Sequence, residues 1–285
     1  MTVGLAALCV DDDGQPSVVV ATDRMVTYPG FIEFEHGVPK MTLMTPGAVA
    51  MVAGDALTGA RLIRETAASL FGTSPLVGQI AKQLAMSYEA VRHQRLESQV
   101  LSPRGLNLQT FYQAHASLNG QITVLIDQTM TQFDLTLEVL LAGIDPTGAH
   151  IHSVHNPGRA DLQHDVIGYG AIGSGAVHVL QAMIGFGHTS ADGLKETVYR
   201  AYAAKRRAES APGVGSGTDM AIISTTGVHQ LADNQLGELE RVYQEIERQI
   251  HGDLRERLGS LTLDGTPMSV VNGDGAANND DDTTS

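Results

Sequence analysis

Short apolar runs separated by polar turns open the chain, and their lengths are typical of β-strands. Residues 2–10 form one run, an acidic turn follows at residues 11–14, and a second run covers residues 17–22. Two such runs joined by a short Gly-containing segment predict a β-hairpin. A third run at residues 48–53 ends at Gly54-Asp55, where a helical pattern begins.

Farther along the chain, apolar residues recur at the three- and four-residue spacing of helices with one buried face. This pattern predicts helices at residues 55–71, 75–97, 176–186, 190–208 and 234–258. Short apolar runs bounded by turn residues predict strands at residues 135–143, 149–154, 220–224 and 228–231. Two consecutive helices after a group of strands indicate a helical layer over a sheet. The expected fold class is therefore α+β.

The domain organisation is predicted to be simple. Residues 2–262 form one domain, which contains an insertion at residues 98–134, for which we expect a loop at 102–105 and then a short helix or hairpin. The insertion would shape a substrate entrance or a subunit contact. Residues 263–285, rich in Gly, Asn, Asp and Thr, are predicted to be a disordered acidic tail.

Composition narrows the functional classes. The chain has 285 residues, 42% of them hydrophobic, which is ample for a large core. One cysteine, Cys9, excludes a disulfide framework, and the sequence has neither a signal peptide nor an apolar run of about 18 residues. We therefore expect a cytoplasmic protein with no membrane partner. The net charge of −14 argues against binding to nucleic acid.

Thr2 is the first candidate for chemistry. Because a small second residue normally permits removal of Met1, we expect Thr2 to become the N-terminal residue, with no propeptide before it. Its hydroxyl is then a nucleophile, and its own α-amine, with a pKa of about 8, is a base. The alternative is an ordinary frayed chain start. Since Thr2 heads a predicted strand, the sheet would hold it in place.

Several segments, taken in series, resemble the proteasome β-subunit family, the threonine-type N-terminal nucleophile hydrolases. They are the strand headed by Thr2, VVVATDRMVTY, HGVPKMTLM, MVAGDALTGARLI, AIGSGAVHVL and GSGTDMAIIS, in the family's order over residues 2–231. The resemblance implies a four-layer αββα sandwich and a threonine peptidase that acts on peptides or unfolded proteins. It also implies a homo-oligomeric ring, with an ATPase or other subunits as potential partners, and neither a metal nor a cofactor.

The resemblance also implies catalytic roles for residues that match the family's motifs. Thr2 would be the nucleophile, Lys40 would lower the effective pKa of its hydroxyl, and Asp23 would pair with Lys40. Ser174 would assist proton transfer beside the terminal amine, and Gly54 would donate its backbone N–H to the oxyanion.

Substrate binding is implied at four further positions. Thr27 would bind the substrate backbone as an added strand. An apolar pocket for the residue before the cleaved bond would be lined by Val26, Val38 and Val52.

The sequence departs from the family pattern near Ser216. This residue matches the serine of the family's last Ser-Gly pair, and on that basis it is a further catalytic candidate. An aspartate is expected three residues earlier, where this chain has Gly213. The polar network around the amine would then be incomplete unless Glu209 or Asp219 takes the place of the aspartate.

Two other patterns have weaker interpretations. His150 and His152 lie on the same face of the predicted strand at residues 149–154, and His155 directly follows it. A metal site there is conceivable, but a solvated strand face is the favoured interpretation. The glycine-rich residues 168–175 could cradle a phosphate, but the Lys-Ser/Thr of a P-loop does not follow them.

Two alternatives to a peptidase stay open. One is a non-catalytic structural subunit of a proteasome-like assembly, which the glycine at 213 favours. The other is an N-terminal nucleophile amidase or transpeptidase, in which an amine replaces water as the acyl acceptor.

Overall fold

A computed structural model describes residues 2–28, 32–35, 40–161, 164–259 and 261. Over these residues the protein is a mixed α+β structure with two antiparallel five-stranded sheets and helices. The strands are β1 (Gly4–Val10), β2 (Pro16–Asp23), β3 (Met25–Tyr28), β4 (Ile32–Glu35), β5 (Met41–Thr45), β6 (Ala48–Gly54), β7 (Leu137–Asp145), β8 (Gly148–His155), β9 (Arg159–Asp161), β10 (Tyr169–Ile172), β11 (Thr218–Ser224) and β12 (Gly227–Gln230).

The α-helices occupy the segments between and after these strands. They are α1 (Ala56–Ser69), α2 (Val77–Leu96), α3 (Leu108–Ala114), α4 (Gly120–Gln132), α5 (His164–Ile167), α6 (Ala176–Gly185), α7 (Leu194–Ala208) and α8 (Asp233–Leu258). The helix predicted to begin at residue 190 begins instead at Leu194, because the preceding residues form a turn in which the Asp192 carboxylate accepts from the Thr189 N–H at 2.8 Å.

The two sheets have simple strand orders. The first is β10-β1-β2-β11-β12 and the second is β5-β6-β7-β8-β9, and neighbouring strands in each are antiparallel. β3 and β4 form a separate two-stranded pair. The predicted N-terminal hairpin is confirmed, with Gly4 opposite Thr22. Its turn is closed by the Asp11 carboxylate, which accepts from the Gln15 N–H at 2.7 Å.

The alternation of side chains explains why β1 and β2 are apolar throughout. Leu5 and Ala7 belong to a cluster with residues of α6 and α7, whereas Ala6 and Leu8 belong to a cluster with residues of β6 and β7 in the second sheet. Both faces of these strands are therefore buried, which an uninterrupted apolar run indicates. Each fully buried Val or Leu side chain contributes about 1.5–3 kcal/mol to stability.

The second sheet has a corresponding apolar cluster on its other face. Leu62 and Ile63 of α1 and Ile80 and Leu84 of α2 pack there against β6 and β7. One apolar cluster thus includes side chains from both sheets, and each sheet packs helices against its opposite face.

The insertion is helical, and the hairpin alternative was wrong. A π-helical turn (Glu97–Leu101) continues from α2, and a 3-10 turn (Ser102–Arg104) lies where a loop was expected. The helices α3 and α4 follow. The side chains of Asn107 and Asn119 accept backbone N–H groups at the starts of these helices. Phe111, Ile126 and Met130 form the small buried core of this region with residues of the π-helical turn.

The predicted C-terminal helix is present as α8. The first compact unit of the chain ends at Tyr243, and its part of α8 packs Leu236, Leu239 and Tyr243 against the first sheet's helices. In the second unit, residues 248–259 of the chain are exposed. The predicted tail at 263–285 lies outside the described residues. No helix in the described part of the chain combines the length and apolarity that crossing a membrane requires.

Candidate active site

Two neighbouring strands of the first sheet place Thr2 beside Asp23. Thr2 precedes β1 and Asp23 ends β2, and the Asp23 N–H donates to the Val3 carbonyl at 3.3 Å. Because the strands are antiparallel, the start of β1 and the end of β2 lie next to each other at the same end of the two strands. Both residues are buried, with 4% of Thr2 and 0% of Asp23 exposed.

The Thr2 hydroxyl lies between a carboxylate and an ammonium group. It donates to Asp23 Oδ1 and accepts from Lys40 Nζ, and Lys40 Nζ lies 2.8 Å from the same Asp23 oxygen. Lys40 directly precedes β5, and only 15% of its side chain is exposed. The structure thus brings together Thr2, Asp23 and Lys40, although Thr2 and Lys40 are 38 positions apart in the sequence.

Backbone donors hold the Asp23 carboxylate in a fixed orientation. Oδ1 accepts from the Val3 N–H at 3.0 Å, and Oδ2 accepts from Met25 N–H at 3.0 Å and from Gly215 N–H at 3.1 Å. Hydrogen bonds of this kind favour the ionised form of a carboxylic acid. The carboxylate is therefore a fixed negative charge against which the lysine and the threonine are positioned.

The electrostatics of the pair follow from burial and mutual attraction. Burial alone would raise the pKa of Asp23, but the charge of Lys40 and hydrogen bonds from Lys40, Thr2 and Val3 lower that pKa below its ordinary value. Burial lowers the pKa of Lys40, and the negative charge of Asp23 offsets only part of this effect. The Lys40 ammonium, which donates to the Thr2 hydroxyl oxygen, places a positive charge where negative charge would develop if that hydroxyl lost its proton.

A glycine-rich turn after β10 contacts the backbone of Thr2. Gly175 N–H donates to the Thr2 carbonyl at 3.3 Å, and Ser174 Oγ lies 3.4 Å from that oxygen and 3.3 Å from the Pro212 carbonyl. A Cβ atom at Gly173 would lie 2.3 Å from the Thr2 carbonyl oxygen, and Gly173 has a φ of +88°. Close approach and positive φ together require glycine at this position.

A cavity of about 580 Å³ opens beside Thr2. Gly54 and Ser174 contribute to its wall, as do Asp134, which precedes β7, and Glu138, near the start of β7. Glu138 Oε2 accepts from the Gly173 N–H at 2.7 Å, which fixes this carboxylate next to the turn that contacts Thr2. The described residues that line the cavity include these two carboxylates and neither lysine nor arginine, so its wall is acidic.

Gly54 ends β6 at the edge of this cavity. Its φ is +98°, and a Cβ atom there would lie 1.8 Å from the Thr136 carbonyl oxygen, so the close approach of β6 to β7 depends on glycine. The structure therefore places the residue proposed for the oxyanion in the same cavity as Thr2.

The side chain of Ser216 interacts with residues other than Thr2, and so do those of Glu209 and Asp219, the two candidates to replace the expected aspartate. The Ser216 hydroxyl donates to Glu35 Oε1 at 3.1 Å. Glu209 accepts from Lys205 at 2.7 Å, and Asp219 pairs with Arg24 at 2.7 Å. Gly213 has a φ of +73°, in the region that favours glycine. None of the described hydrogen bonds of these side chains reaches Thr2.

The residues proposed for substrate binding are dispersed. Val26 and Thr27 lie in β3, and Val38 lies outside the described residues. Val52 of β6 points towards α1, where a Cβ atom at Gly59 would lie 2.3 Å from its Cγ1. Val52 packs with the cluster between the second sheet and its helices, and the lining described for the cavity beside Thr2 does not include it.

The three histidines of β8 do not form a solvated face, contrary to the expectation. His152 is only 2% exposed, because α2 covers this part of the sheet. His150 Nδ1 lies 2.8 Å from Asp165 Oδ2, and His155, which lines the cavity, lies 3.4 Å from Asp161. In the part of the chain that the structure describes, no group of three His, Cys, Asp or Glu residues is arranged to hold a metal ion.

Sequence reasoning missed Lys205, which lies close to this site. Lys205 of α7 donates to the carbonyl oxygens of Gly215 and Ser216, each at 2.8 Å. Its signal in the sequence is its position among Ala201, Ala204 and Ala208, which places one charge on the buried face of an otherwise apolar helical stripe. Asp134 and Glu138 were also missed, because Asp134 ends the insertion, which has no clear pattern, and Glu138 is a polar residue within a predicted strand, which does not indicate what it contacts.

In comparisons with known proteins, neither a family model nor a curated protein matches the sequence.

Proposed function

We propose that this protein is an N-terminal nucleophile hydrolase of the proteasome β-subunit type, in which Thr2, after removal of Met1, cleaves peptide bonds. The observation that carries the proposal is the buried Thr2 hydroxyl, held between the Lys40 ammonium and the Asp23 carboxylate at the edge of a cavity. A hydroxyl in contact with a fixed cation and a fixed anion is an activated nucleophile.

The fold supports this proposal. Two antiparallel sheets share one apolar cluster, and helices pack on the opposite face of each sheet. This layering corresponds to the αββα sandwich that the resemblance implies, with the nucleophile at the start of β1. The segments that carry the resemblance supply Thr2, Asp23, Lys40 and the turn at 173–175 to one site.

In the proposed mechanism the Thr2 oxygen attacks the carbonyl carbon of a peptide bond. The hydroxyl proton passes to the free α-amine of Thr2, while Lys40 stabilises the developing negative charge on the oxygen. The carbonyl oxygen becomes an oxyanion that accepts a hydrogen bond from the Gly54 N–H. When the intermediate collapses, the C–N bond breaks and the proton passes to the leaving amine, which leaves an ester on Thr2.

A second half-reaction releases the product. Water attacks the ester carbon and gives a proton to the α-amine. The C–O bond to Thr2 then breaks, the α-amine returns the proton to the Thr2 oxygen, and a free carboxylic acid is released. Ser174 Oγ lies 3.4 Å from the Thr2 carbonyl oxygen, and we propose that it assists proton transfer to and from the α-amine of the same residue. The substrate backbone is proposed to bind along β3 at Thr27 as an added strand.

One observation favours transfer of the acyl group to an amine as a second candidate reaction. The cavity beside Thr2 is lined by Asp134 and Glu138, whose negative charges attract a cationic amine. After this amine has given a proton to the α-amine of Thr2, its nitrogen would attack the ester carbon in place of water. The C–O bond to Thr2 would then break, the Thr2 oxygen would take up the proton, and the product would be a new amide.

The non-catalytic alternative depends on Gly213, which stands where an aspartate is expected.

A cytoplasmic homo-oligomeric ring, with an ATPase or other subunits as partners, remains part of the proposal. Sedimentation of the purified protein would measure its assembly.

The experiment for the proposed function is product analysis by mass spectrometry with a library of peptides. Wild-type protein and Thr2→Ser should release peptide fragments, and Thr2→Ala should be inactive, while Thr73→Ala, at an exposed threonine, should match the wild type. Addition of an amino acid amide separates the two reactions, because transacylation yields an amide-extended product. Equal activity in wild type and Thr2→Ala would exclude Thr2 as the nucleophile.

A further inference from the structure

Helix α7 carries a buried ammonium group that the proposed mechanism does not use. Lys205 is 0% exposed and lies on the apolar side of the helix with Ala201, Ala204 and Ala208. A buried ammonium is costly unless it is paired and its hydrogen-bonding capacity is used. The partners of Lys205 therefore indicate what this residue does.

Each of the three donors of Lys205 has a partner. Nζ donates to Glu209 Oε1 at 2.7 Å, to the Gly215 carbonyl at 2.8 Å and to the Ser216 carbonyl at 2.8 Å. Two of these partners are consecutive backbone carbonyl groups. One ammonium group thus fixes the direction of two successive peptide units.

The same backbone segment contacts the candidate catalytic carboxylate. Gly215 N–H donates to Asp23 Oδ2 at 3.1 Å, and Asp23 Oδ1 contacts both Thr2 and Lys40. A continuous series of direct contacts therefore runs from Lys205 through Gly215 to Asp23 and then to the nucleophile.

Glu35 holds the opposite side of this segment. Its Oε1 accepts from the Gly217 N–H at 2.7 Å and from the Ser216 hydroxyl at 3.1 Å. Glu35 lies at the surface, whereas Lys205 lies in the core, so it is Lys205 that ties the segment to the interior of the protein.

We propose that Lys205 is a positioning residue, which holds the segment at residues 213–217 against Asp23 and thereby orients the contacts among Asp23, Lys40 and Thr2. The inference rests on the proposed function. It also explains how the segment is ordered with Gly213 in place of the expected aspartate. Lys205 is not among the described residues that line the cavity, so it acts through Asp23 and not on the substrate.

The test compares Lys205→Met with Lys195→Met in the full-length protein. Lys195 lies on the same helix, but its side chain is 88% exposed and it pairs only with Asp12 among the described residues, at 3.3 Å. Two quantities are measured: the rate and affinity constants for covalent labelling of Thr2 by a peptide β-lactone, and the hydrogen exchange of the backbone amides at residues 213–217.

The expected result is a labelling rate constant that falls by at least about tenfold in Lys205→Met, which corresponds to about 1.4 kcal/mol. The affinity constant should change by less than about twofold, because the cavity wall is untouched. Exchange at residues 213–217 should become faster in Lys205→Met and stay unchanged in Lys195→Met. An unchanged labelling rate constant, or unchanged exchange at this segment, overturns the proposal.

The two measurements separate this inference from the proposed function. If the wild-type protein is not labelled at all, the proposed function fails, and the exchange data still decide whether Lys205 fixes the segment. If Lys205→Met does not fold, Lys205→Gln replaces it, because its amide retains hydrogen-bond donors without the charge. If neither variant folds, Lys205 is needed for the fold itself and the positioning role is overturned.

Discussion

The Lys40 ammonium lies 2.8 Å from the Asp23 carboxylate, and both groups contact the hydroxyl of Thr2. Neither charge is readily accessible to water, since the side chain of Asp23 is fully buried and that of Lys40 is mostly buried. Two buried charges are tolerated when each neutralises the other, and the loss of one leaves the other uncompensated. This pair therefore links the stability of the site to its chemistry.

The first prediction concerns the pH dependence of stability. Because the pKa of Asp23 in the folded protein lies below its ordinary value of 3.8, its stabilising effect is present above that value and is lost as the pH falls through the folded pKa. Asp23→Asn should lower the free energy of unfolding by about 3 kcal/mol at pH 7, because Lys40 loses its anionic partner. Urea unfolding of both proteins should show this difference shrinking below a pH of about 4. A difference that is the same at pH 7 and pH 3 would contradict the assignment.

A second prediction concerns the turn at Gly173. In Gly173→Ala the new Cβ atom would have to displace the Thr2 carbonyl. The rate of covalent labelling of Thr2 should therefore fall by about 100-fold or more, because small displacements of reacting groups cause losses of this size. Gly187→Ala is the matched control, because Gly187 also has a positive φ, +62°, but a Cβ atom there meets nothing within 4 Å. The control should be strained to a similar degree yet be labelled at the wild-type rate. Equal labelling of both variants would show that Gly173 does not determine the position of Thr2.

A third prediction separates the two serines. Ser174→Ala should lower peptide cleavage by about tenfold or more, since its hydroxyl lies 3.4 Å from the Thr2 carbonyl oxygen and is proposed to assist proton transfer at the Thr2 amine. Ser216→Ala should change cleavage by less than about threefold, because the hydroxyl of Ser216 bonds to Glu35 at the surface and surface changes are usually small. Steady-state kinetics with one peptide substrate measures both effects. A larger loss in Ser216→Ala than in Ser174→Ala would reverse these assignments.

A fourth prediction concerns the charge of the substrate. The acidic wall of the cavity should favour peptides, or acceptor amines, with a positive charge near the cleaved bond. Glu138→Gln should reduce kcat/KM for a lysine-containing peptide by about tenfold relative to a peptide with a neutral residue there. Glu65→Gln, at an exposed residue paired with Arg61, should leave the ratio unchanged. The absence of any change in the ratio for Glu138→Gln would show that this carboxylate does not contact the substrate.

The sequence could predict the positions of Thr2 and Asp23, because the pairing of β1 and β2 determines them. Thr2 and Asp23 lie at the ends of runs whose pairing follows from a short hairpin, so their proximity could be inferred once the strands were recognised. Lys40 could be added only through the order of the motifs. Most strands of each sheet and most of the helices were recognisable for the same reason, because periodic burial is a local property of the sequence. The short strands β3, β4, β5, β9 and β10 were not predicted.

Other features depend on packing that no local pattern encodes. Lys205 reaches Gly215 only because α7 docks on the first sheet, and Glu138 reaches Gly173 only because the two sheets meet there. The burial of His152 likewise follows from the position of α2 over β8. The orientation of Val52 towards α1 depends on the close approach of Gly59, which spacing alone does not indicate.

The most direct test of the central claim is the intact mass of the purified protein before and after reaction with a peptide β-lactone, in wild type and in Lys40→Ala. The account predicts a wild-type chain that lacks Met1 and gains one adduct, which peptide mapping locates on Thr2, and a Lys40→Ala chain that lacks Met1 but gains none. Retention of Met1 without an adduct in the wild type, or equal labelling of both proteins, would contradict the assignment of Thr2 as a nucleophile activated by Lys40.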